Sequence, residues 1–227
     1  MNPKPQDLEE ISERTLQHYN QRAEAFWERT CGHDVSQNIA ALLRHIRSGH
    51  PLTLLDFGCG PGRDLKVFAN FGHVAIGLEG APRFAEMARA HTGCEVWRQD
   101  FLKLDLPQSY FDGVFANATL FHVPSAELPR VLQEIHTCLK PGGILFTSMP
   151  RGNDEEGWRD GRYGVFHDPE TWRAYGSAAG FVEIEHYYRP AGLPREMQPW
   201  FASVWRRRGR GSATDLRRSE RAAKVEL

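Results

Sequence analysis

The rhythm of apolar positions changes near residue 50. Before it, Leu8, Ile11, Leu16, Tyr19, Ala23, Phe26 and Trp27 recur at helical spacing, which predicts one amphipathic N-terminal helix. Ile39, Leu42, Leu43 and Ile46 predict a second helix starting near Ser36, after the polar turn CGHDVSQN. Beyond Leu52, short apolar runs alternate with helical patterns. LTLLDF, HVAIGLE, EVWRQD, FDGVFAN and GGILFTSM read as strands, and PGRDLKVFANFG, PRFAEMARAH and the segment around Leu128, Val131, Leu132 and Ile135 read as helices. Strands covered on both faces and alternating with helices imply parallel crossovers and an α/β layered domain. RGNDEEGWRDGRYGVFHD is polar and glycine-rich, and reads as a long loop of the kind that often forms a binding lid. PETWRAYGSAAG then predicts a helix. FVEIEHYY and WFASVWRR predict a closing antiparallel hairpin across a proline-rich connection.

Length sharpens the picture. A chain of 227 residues with 41% hydrophobic residues supports one sizeable core rather than two. The expected organisation is a single domain over 1–205, with a helical cap (1–50), a core (51–150) and a substrate loop with closing hairpin (151–205), followed by a basic, disordered tail over 206–227. Net charge is −1, which argues against a nucleic-acid footprint over the whole protein. The segment from Arg206 onward carries eight Lys/Arg against three Asp/Glu. It reads as a solvated extension, because no aromatics interleave its arginines as an RNA-binding arm would require. Cys31, Cys59, Cys94 and Cys138 form no CxxC pair, so neither a zinc site nor a disulfide scaffold is expected, and a reducing, cytoplasmic compartment fits. MNPKPQDLEE has no apolar signal region, and no run approaches the length of a membrane span.

The chemistry concentrates in LLDFGCGPGRD. Its glycines at 58, 60 and 62 give GxGxG, whereas the dinucleotide fingerprint GxGxxG would need its third glycine at Arg63. The GK[ST] of a P-loop is absent. A glycine turn after the first parallel strand still suits a ligand lying close to the backbone, although glycines also serve ordinary tight turns. Later strand ends add to it. Glu79 ends the second strand and offers a carboxylate to both hydroxyls of a ribose; the plainer reading is a solvated charge. Asp100 followed by Phe101 ends the third, an acceptor beside an apolar ring that suits an adenine. Asn117 ends the fourth. All share the carboxyl edge of the sheet.

LLDFGCGPGRD, AIGLEGA, RQDFLKLDLP, FDGVFAN and LKPGGILF together resemble the class I S-adenosylmethionine-dependent methyltransferases over about Tyr19 to Met149. The resemblance implies a Rossmann-like α/β fold: a mostly parallel seven-stranded sheet, helices on both faces, and an antiparallel last strand. It implies S-adenosyl-L-methionine as cofactor, with contacts from Tyr19, Gly58, Gly60, Arg63, Glu79, Gly80, Asp100, Phe101 and Asn117, and no metal. Tyr19, in YNQRAEAFW, matches an aromatic position that covers the cofactor. HDVSQNIAALLRHI, DGVFANATLFHVPSAELPRVL, GRYGVFHD and HYYRPAGLPREMQPW further resemble the methyltransferase domain of ovothiol biosynthesis. That resemblance implies N-methylation of the imidazole ring of 5-thiohistidine, and a sulfoxide synthase of the same pathway as functional partner. In many such proteins the domain is fused behind that synthase; here it is expected to stand alone. Alternatives are O- or S-methylation of another small acceptor, or a cofactor-binding domain without catalysis.

A neutral imidazole nitrogen attacks without prior deprotonation, so alignment can carry most of the reaction. His122, in LFHVP, is expected to face the transferred methyl as a positioning or modest acid/base group. Phe121 is a candidate pocket wall. Asn38 offers an amide to an imidazole nitrogen or an amino-acid group. In the long loop, Arg151, Asn153, Arg162 and Tyr163 supply guanidinium forks for a carboxylate and a shelter for a ring. Packing or surface roles remain open for each of them.

Overall fold

The structure is a computed structural model that describes residues 5–47 and 49–208. Helices α1 (Pro5–Gln21), α2 (Ala23–Thr30) and α3 (Ser36–Leu43) precede the core. The core runs β1 (Thr53–Phe57), α4 (Arg63–Asn70), β2 (Val74–Glu79), α5 (Pro82–Thr92), β3 (Glu95–Arg98), β4 (Phe111–Asn117), α6 (Leu128–Cys138) and β5 (Leu139–Pro150). A hairpin of β6 (Glu155–Arg159) and β7 (Arg162–Phe166) follows, then α7 (Pro169–Ala178), β8 (Phe181–Arg189) and β9 (Trp200–Arg207). Seven strands form one sheet in the order β3-β2-β1-β4-β5-β9-β8. Pairing is parallel from β3 to β5, and β9 runs antiparallel to both β5 and β8. This is the Rossmann-like arrangement expected from the sequence.

Alternation within the strands explains the two-sided core. Leu54, Phe115 and Phe146 pack with Ile39, Leu42, Leu65 and Phe68 of α3 and α4. Their neighbours Leu55, Val114 and Leu145 pack on the opposite face with Val131, Ile135 and Trp172 of α6 and α7. Gly62, at φ +94°, starts α4 where a Cβ would come within 3.0 Å of the Ala88 backbone in α5, so both its conformation and its contact require glycine.

Three expectations change. The N-terminal helix breaks at Arg22, whose φ of −118° and ψ of 19° are not helical. The break lets Tyr19 and Phe26 both pack on Phe84, with ring centroids 5.6 and 5.0 Å away. The long loop contains a hairpin closed by Asp160–Gly161, both at positive φ, as a two-residue turn between twisted strands requires. Arg206 and Arg207, which the domain boundary assigned to the tail, belong to β9, as the strand reading of WFASVWRR has it: Arg206 pairs with Ile144 and Val182, and Arg207 with Phe181. The rest of that segment, from residue 209, lies outside the described residues.

The antiparallel strand is secured by one buried hydroxyl. Ser203, fully buried, accepts from the indoles of Trp172 (3.2 Å) and Trp205 (2.8 Å) and shares a 2.8 Å bond with Thr147. Ser203→Ala strands two buried N–H donors, so it is expected to cost about 2–4 kcal/mol in denaturant unfolding. A loss below about 1 kcal/mol would show that the hydroxyl is dispensable.

Candidate functional site

The carboxyl ends of β1, β2 and β4 open onto one cavity of about 710 Å³. After Phe57 the chain turns through Gly58 and Gly60, at φ +75° and +52°. The amides of Gly58 and Cys59 donate to the Leu78 carbonyl, at 2.8 and 3.0 Å. The Gly60 amide donates to Glu79 Oε2 at 2.9 Å, and the Ala81 amide donates to Glu79 Oε1 at 2.8 Å. Glu79 is therefore a buried carboxylate held by backbone, and burial lifts its pKa to about 7 against the pull of those amides. Asp56, 3% exposed, leaves Oδ2 without a partner. Burial, reinforced by the nearby Asp64 carboxylate, pushes its pKa well up.

Helix α1 roofs the rim. Ser12 donates to Asp100 Oδ2 at 2.5 Å, while the Leu102 amide donates to Oδ1 at 2.9 Å. Phe101 stacks on Phe57 with centroids 4.5 Å apart and lies against the glycine turn. Tyr19 and His122 Nε2 are 2.7 Å apart, and His122 Nδ1 is 2.6 Å from the Tyr163 carbonyl. A carbonyl only accepts, so Nδ1 carries the proton and Nε2 accepts from the Tyr19 hydroxyl. Burial lowers the His122 pKa to about 4, opposed by its bond to that carbonyl. At neutral pH the ring is uncharged and both nitrogens are engaged, so His122 holds Tyr19. The Arg162 guanidinium lies 5.7 Å from the Tyr19 ring centroid.

The nine residues expected at a cofactor, Tyr19, Gly58, Gly60, Arg63, Glu79, Gly80, Asp100, Phe101 and Asn117, all line the cavity, as do Phe121, His122 and Arg162. Asn38, Arg151, Asn153 and Tyr163 are not among its lining residues. Asn38 is 1% exposed and bonded to Asn117 and Tyr187. Arg151 is spent on the carbonyls of Arg195 and Gln198. Asn153 is exposed, in the bend before β6. The Tyr163 side chain points to Glu156, 2.7 Å away, leaving only its backbone amide and carbonyl to the site, on Thr15 and His122. Lining residues the sequence reading did not assign to a site include Ser12, Thr15, Asp34 and Arg189. Ser12 and Thr15 were legible in principle, as hydroxyls set inside the apolar stripe of α1.

Residues 55–147 match the family model described as a methyltransferase domain. Over this stretch the chain is similar to a methyltransferase domain. Malonyl-[acyl-carrier protein] O-methyltransferase of Erwinia pyrifoliae is 30% identical over 145 residues, 63% of this chain and 51% of that protein. Trans-aconitate 2-methyltransferase of an Azoarcus species is 30% identical over 120 residues, 52% of this chain and 47% of its own length. The chain thus spans about half the length of these relatives. The fold is similar to that of the Burkholderia thailandensis 1,6-didemethyltoxoflavin-N1-methyltransferase, solved with S-adenosylhomocysteine (TM-score 0.72, 19% identity, 92% of this chain and 93% of that one).

The cofactor of the methyltransferase domain is S-adenosylmethionine, and the cavity fits it. A side chain at Gly60 would meet nothing nearer than Phe84 at 3.9 Å, so the turn leaves room at its backbone. Glu79 and Asp100 each accept from protein donors at both oxygens and keep lone-pair capacity for hydroxyl or amino groups. Among the described residues no group of three or more His, Cys, Asp or Glu could hold a metal ion, and no helix is long and apolar enough to cross a membrane.

Two signs follow from the raised Glu79 pKa. The ligand-free fold prefers the protonated acid, so its stability falls as pH rises from the usual glutamate range to about 7. If ribose hydroxyls donate to this carboxylate they favour its ionised form, and affinity for S-adenosylhomocysteine is then expected to rise about tenfold from pH 6 to pH 8 in calorimetric titrations. Glu79→Gln should lose about 1–3 kcal/mol of that affinity at pH 8 and flatten the profile. A flat wild-type profile would remove Glu79 from the ribose.

Proposed function

We propose that the chain is an S-adenosylmethionine-dependent N-methyltransferase of a small zwitterionic acceptor, the imidazole ring of 5-thiohistidine, giving ovothiol A. The observation that carries this reading is the character of the cavity wall. It includes two guanidiniums, Arg162, 5.7 Å from the Tyr19 ring centroid, and Arg189, together with Phe121 and Trp200, and its His122 is neutral with both nitrogens committed. Such a wall suits an acceptor that brings its own lone pair, an anionic group for an arginine fork and a flat ring for aromatic contact.

When bound, the cofactor supplies a methyl group activated by its sulfonium centre. Gly58, Gly60 and Arg63 hold its amino-acid end, and Asn117 closes that wall. Glu79 and Gly80 take the ribose, and Asp100 with Phe101 the adenine. Tyr19, fixed by His122, covers the site. Arg162 takes the acceptor carboxylate and Phe121 walls the ring. Catalysis is alignment, which in favourable cases is worth about 7–11 kcal/mol of barrier. The reaction belongs in the cytoplasm, downstream of a sulfoxide synthase that installs the sulfur on histidine.

A second reading, methyl-ester formation on a small acid, is favoured by the two relatives named for malonyl-[acyl-carrier protein] and trans-aconitate. The same guanidiniums suit it. Incubating the purified chain with S-adenosylmethionine and 5-thiohistidine, histidine or trans-aconitate separates the two. The thiohistidine reading expects a gain of one CH₂ on 5-thiohistidine that survives mild base. A base-labile CH₂ on trans-aconitate, with none on 5-thiohistidine, would replace it with the second reading. No transfer to either, with cofactor bound, would favour a binding domain.

A further inference from the structure

Asn38 and Tyr187 are not among the residues that line the cavity, yet they are joined to its charged wall by an unbroken series of side-chain bonds. The Tyr187 hydroxyl donates to Asn38 Oδ1 at 2.8 Å. Asn38 Nδ2 donates to Asn117 Oδ1 at 2.9 Å, and Asn117 Nδ2 to Asp64 Oδ2 at 3.2 Å. Asp64 closes the series in a two-point fork with Arg63, Nε to Oδ1 at 2.6 Å and Nη2 to Oδ2 at 2.9 Å. Arg63 Nη1 is anchored beyond it on the Thr30 carbonyl at 2.9 Å. One relay therefore ties the closing hairpin (β8), the cap helix α3, the tip of β4 and the first turn of α4 to the end of α2.

Its polarity follows from its charged end. The Asp64 carboxylate, paired with Arg63, only accepts, so Asn117 must face it with Nδ2. Asn117 then offers Oδ1 to Asn38, which must answer with Nδ2 and so turns Oδ1 to Tyr187. Reversing either amide would set two acceptors against each other. Asn38, at 1% exposure, has no water to compensate such a reversal. The orientation of Asn117 in the cavity wall, and with it the support of the Arg63–Asp64 fork, is thus fixed by two residues behind that wall.

We propose that Asn38 and Tyr187 are positioning residues that set cofactor affinity through Asn117, by holding the Arg63–Asp64 fork in one geometry. The proposal rests on the reading that places the cofactor's amino-acid end at Arg63. It replaces the substrate contact first expected of Asn38, and it couples the closing hairpin to the cofactor side of the cavity.

The test is calorimetric titration of S-adenosylhomocysteine into the full-length wild-type chain, Asn38→Asp and Tyr187→Phe between pH 5 and pH 8. Asn38→Asp keeps the shape but, when ionised, cannot donate to Asn117; when protonated, its O–H can. The ionisable groups around it on the relay are Tyr187 from β8 and Asp64 and Arg63 from α4. Relative to wild type at the same pH, Asn38→Asp is expected to bind about tenfold more weakly at pH 8 and to recover as pH falls. Tyr187→Phe, which removes one oxygen, should bind about threefold more weakly, with no such recovery. A structural defect alone would not give the Asn38→Asp variant its pH-dependent ratio. Variants that are folded by circular dichroism and bind within twofold of wild type at every pH would overturn the proposal, and Tyr187→Phe decides alone if Asn38→Asp fails to fold. A wild-type chain that binds no S-adenosylhomocysteine would overturn the cofactor reading as well.

Discussion

A carboxylate buried without a cation is expensive, and the satisfaction of Glu79 shapes the rim of this sheet. Its two oxygens receive the amides of Gly60 and Ala81, so the end of β2 and the turn after β1 are locked to each other. The lock needs Gly60 at positive φ, and it leaves the backbone of the turn bare toward the cavity. The remaining acids sit around that lock: Asp56 behind the turn, Asp64 opposite Arg63, and Asp100 under Ser12. Glu79 and Asp100 leave open bonding capacity that a nucleoside cofactor with hydroxyl and amino donors would complete.

The roof is built from segments far apart in sequence. Thr15 Oγ1 in α1 accepts from the Tyr163 amide at 3.0 Å, and the Tyr163 carbonyl accepts from His122 Nδ1–H, while His122 Nε2 accepts from Tyr19. The β6–β7 hairpin thereby sets the tautomer of a histidine in the loop after β4 and the orientation of a tyrosine in α1. An imidazole committed in this way is a poor proton carrier and a good strut. That favours a reaction governed by alignment over one that needs a strong base.

Much of the scaffold was legible in the sequence because it is written in local patterns. Strand ends at Glu79 and Asn117 followed from short apolar runs ending in polar residues, that at Phe57 from a run ending at a glycine turn, and their shared edge followed from parallel crossovers. What was missed depended on direction or on distant partners. Asn38 sits on a helix whose apolar neighbours are the same whether its amide faces solvent or a buried relay; only Asn117 and Tyr187, 79 and 149 residues away, decide. Arg22 breaks a stripe that both helices continue, so periodicity passes over the break. Arg162 and Tyr163 were both placed in the pocket, yet neighbours on a strand face opposite sides. The Asp160–Gly161 turn carried the signal that this segment is a hairpin.

The central claim is that the adenosyl group lies across the sheet's carboxyl rim with its ribose on Glu79. A crystal structure with S-adenosylhomocysteine measures this directly. The account predicts both ribose hydroxyls within hydrogen-bonding distance of the Glu79 carboxylate and the adenine beside Asp100 and Phe101. A nucleoside bound elsewhere, or a ribose out of reach of Glu79, would contradict it.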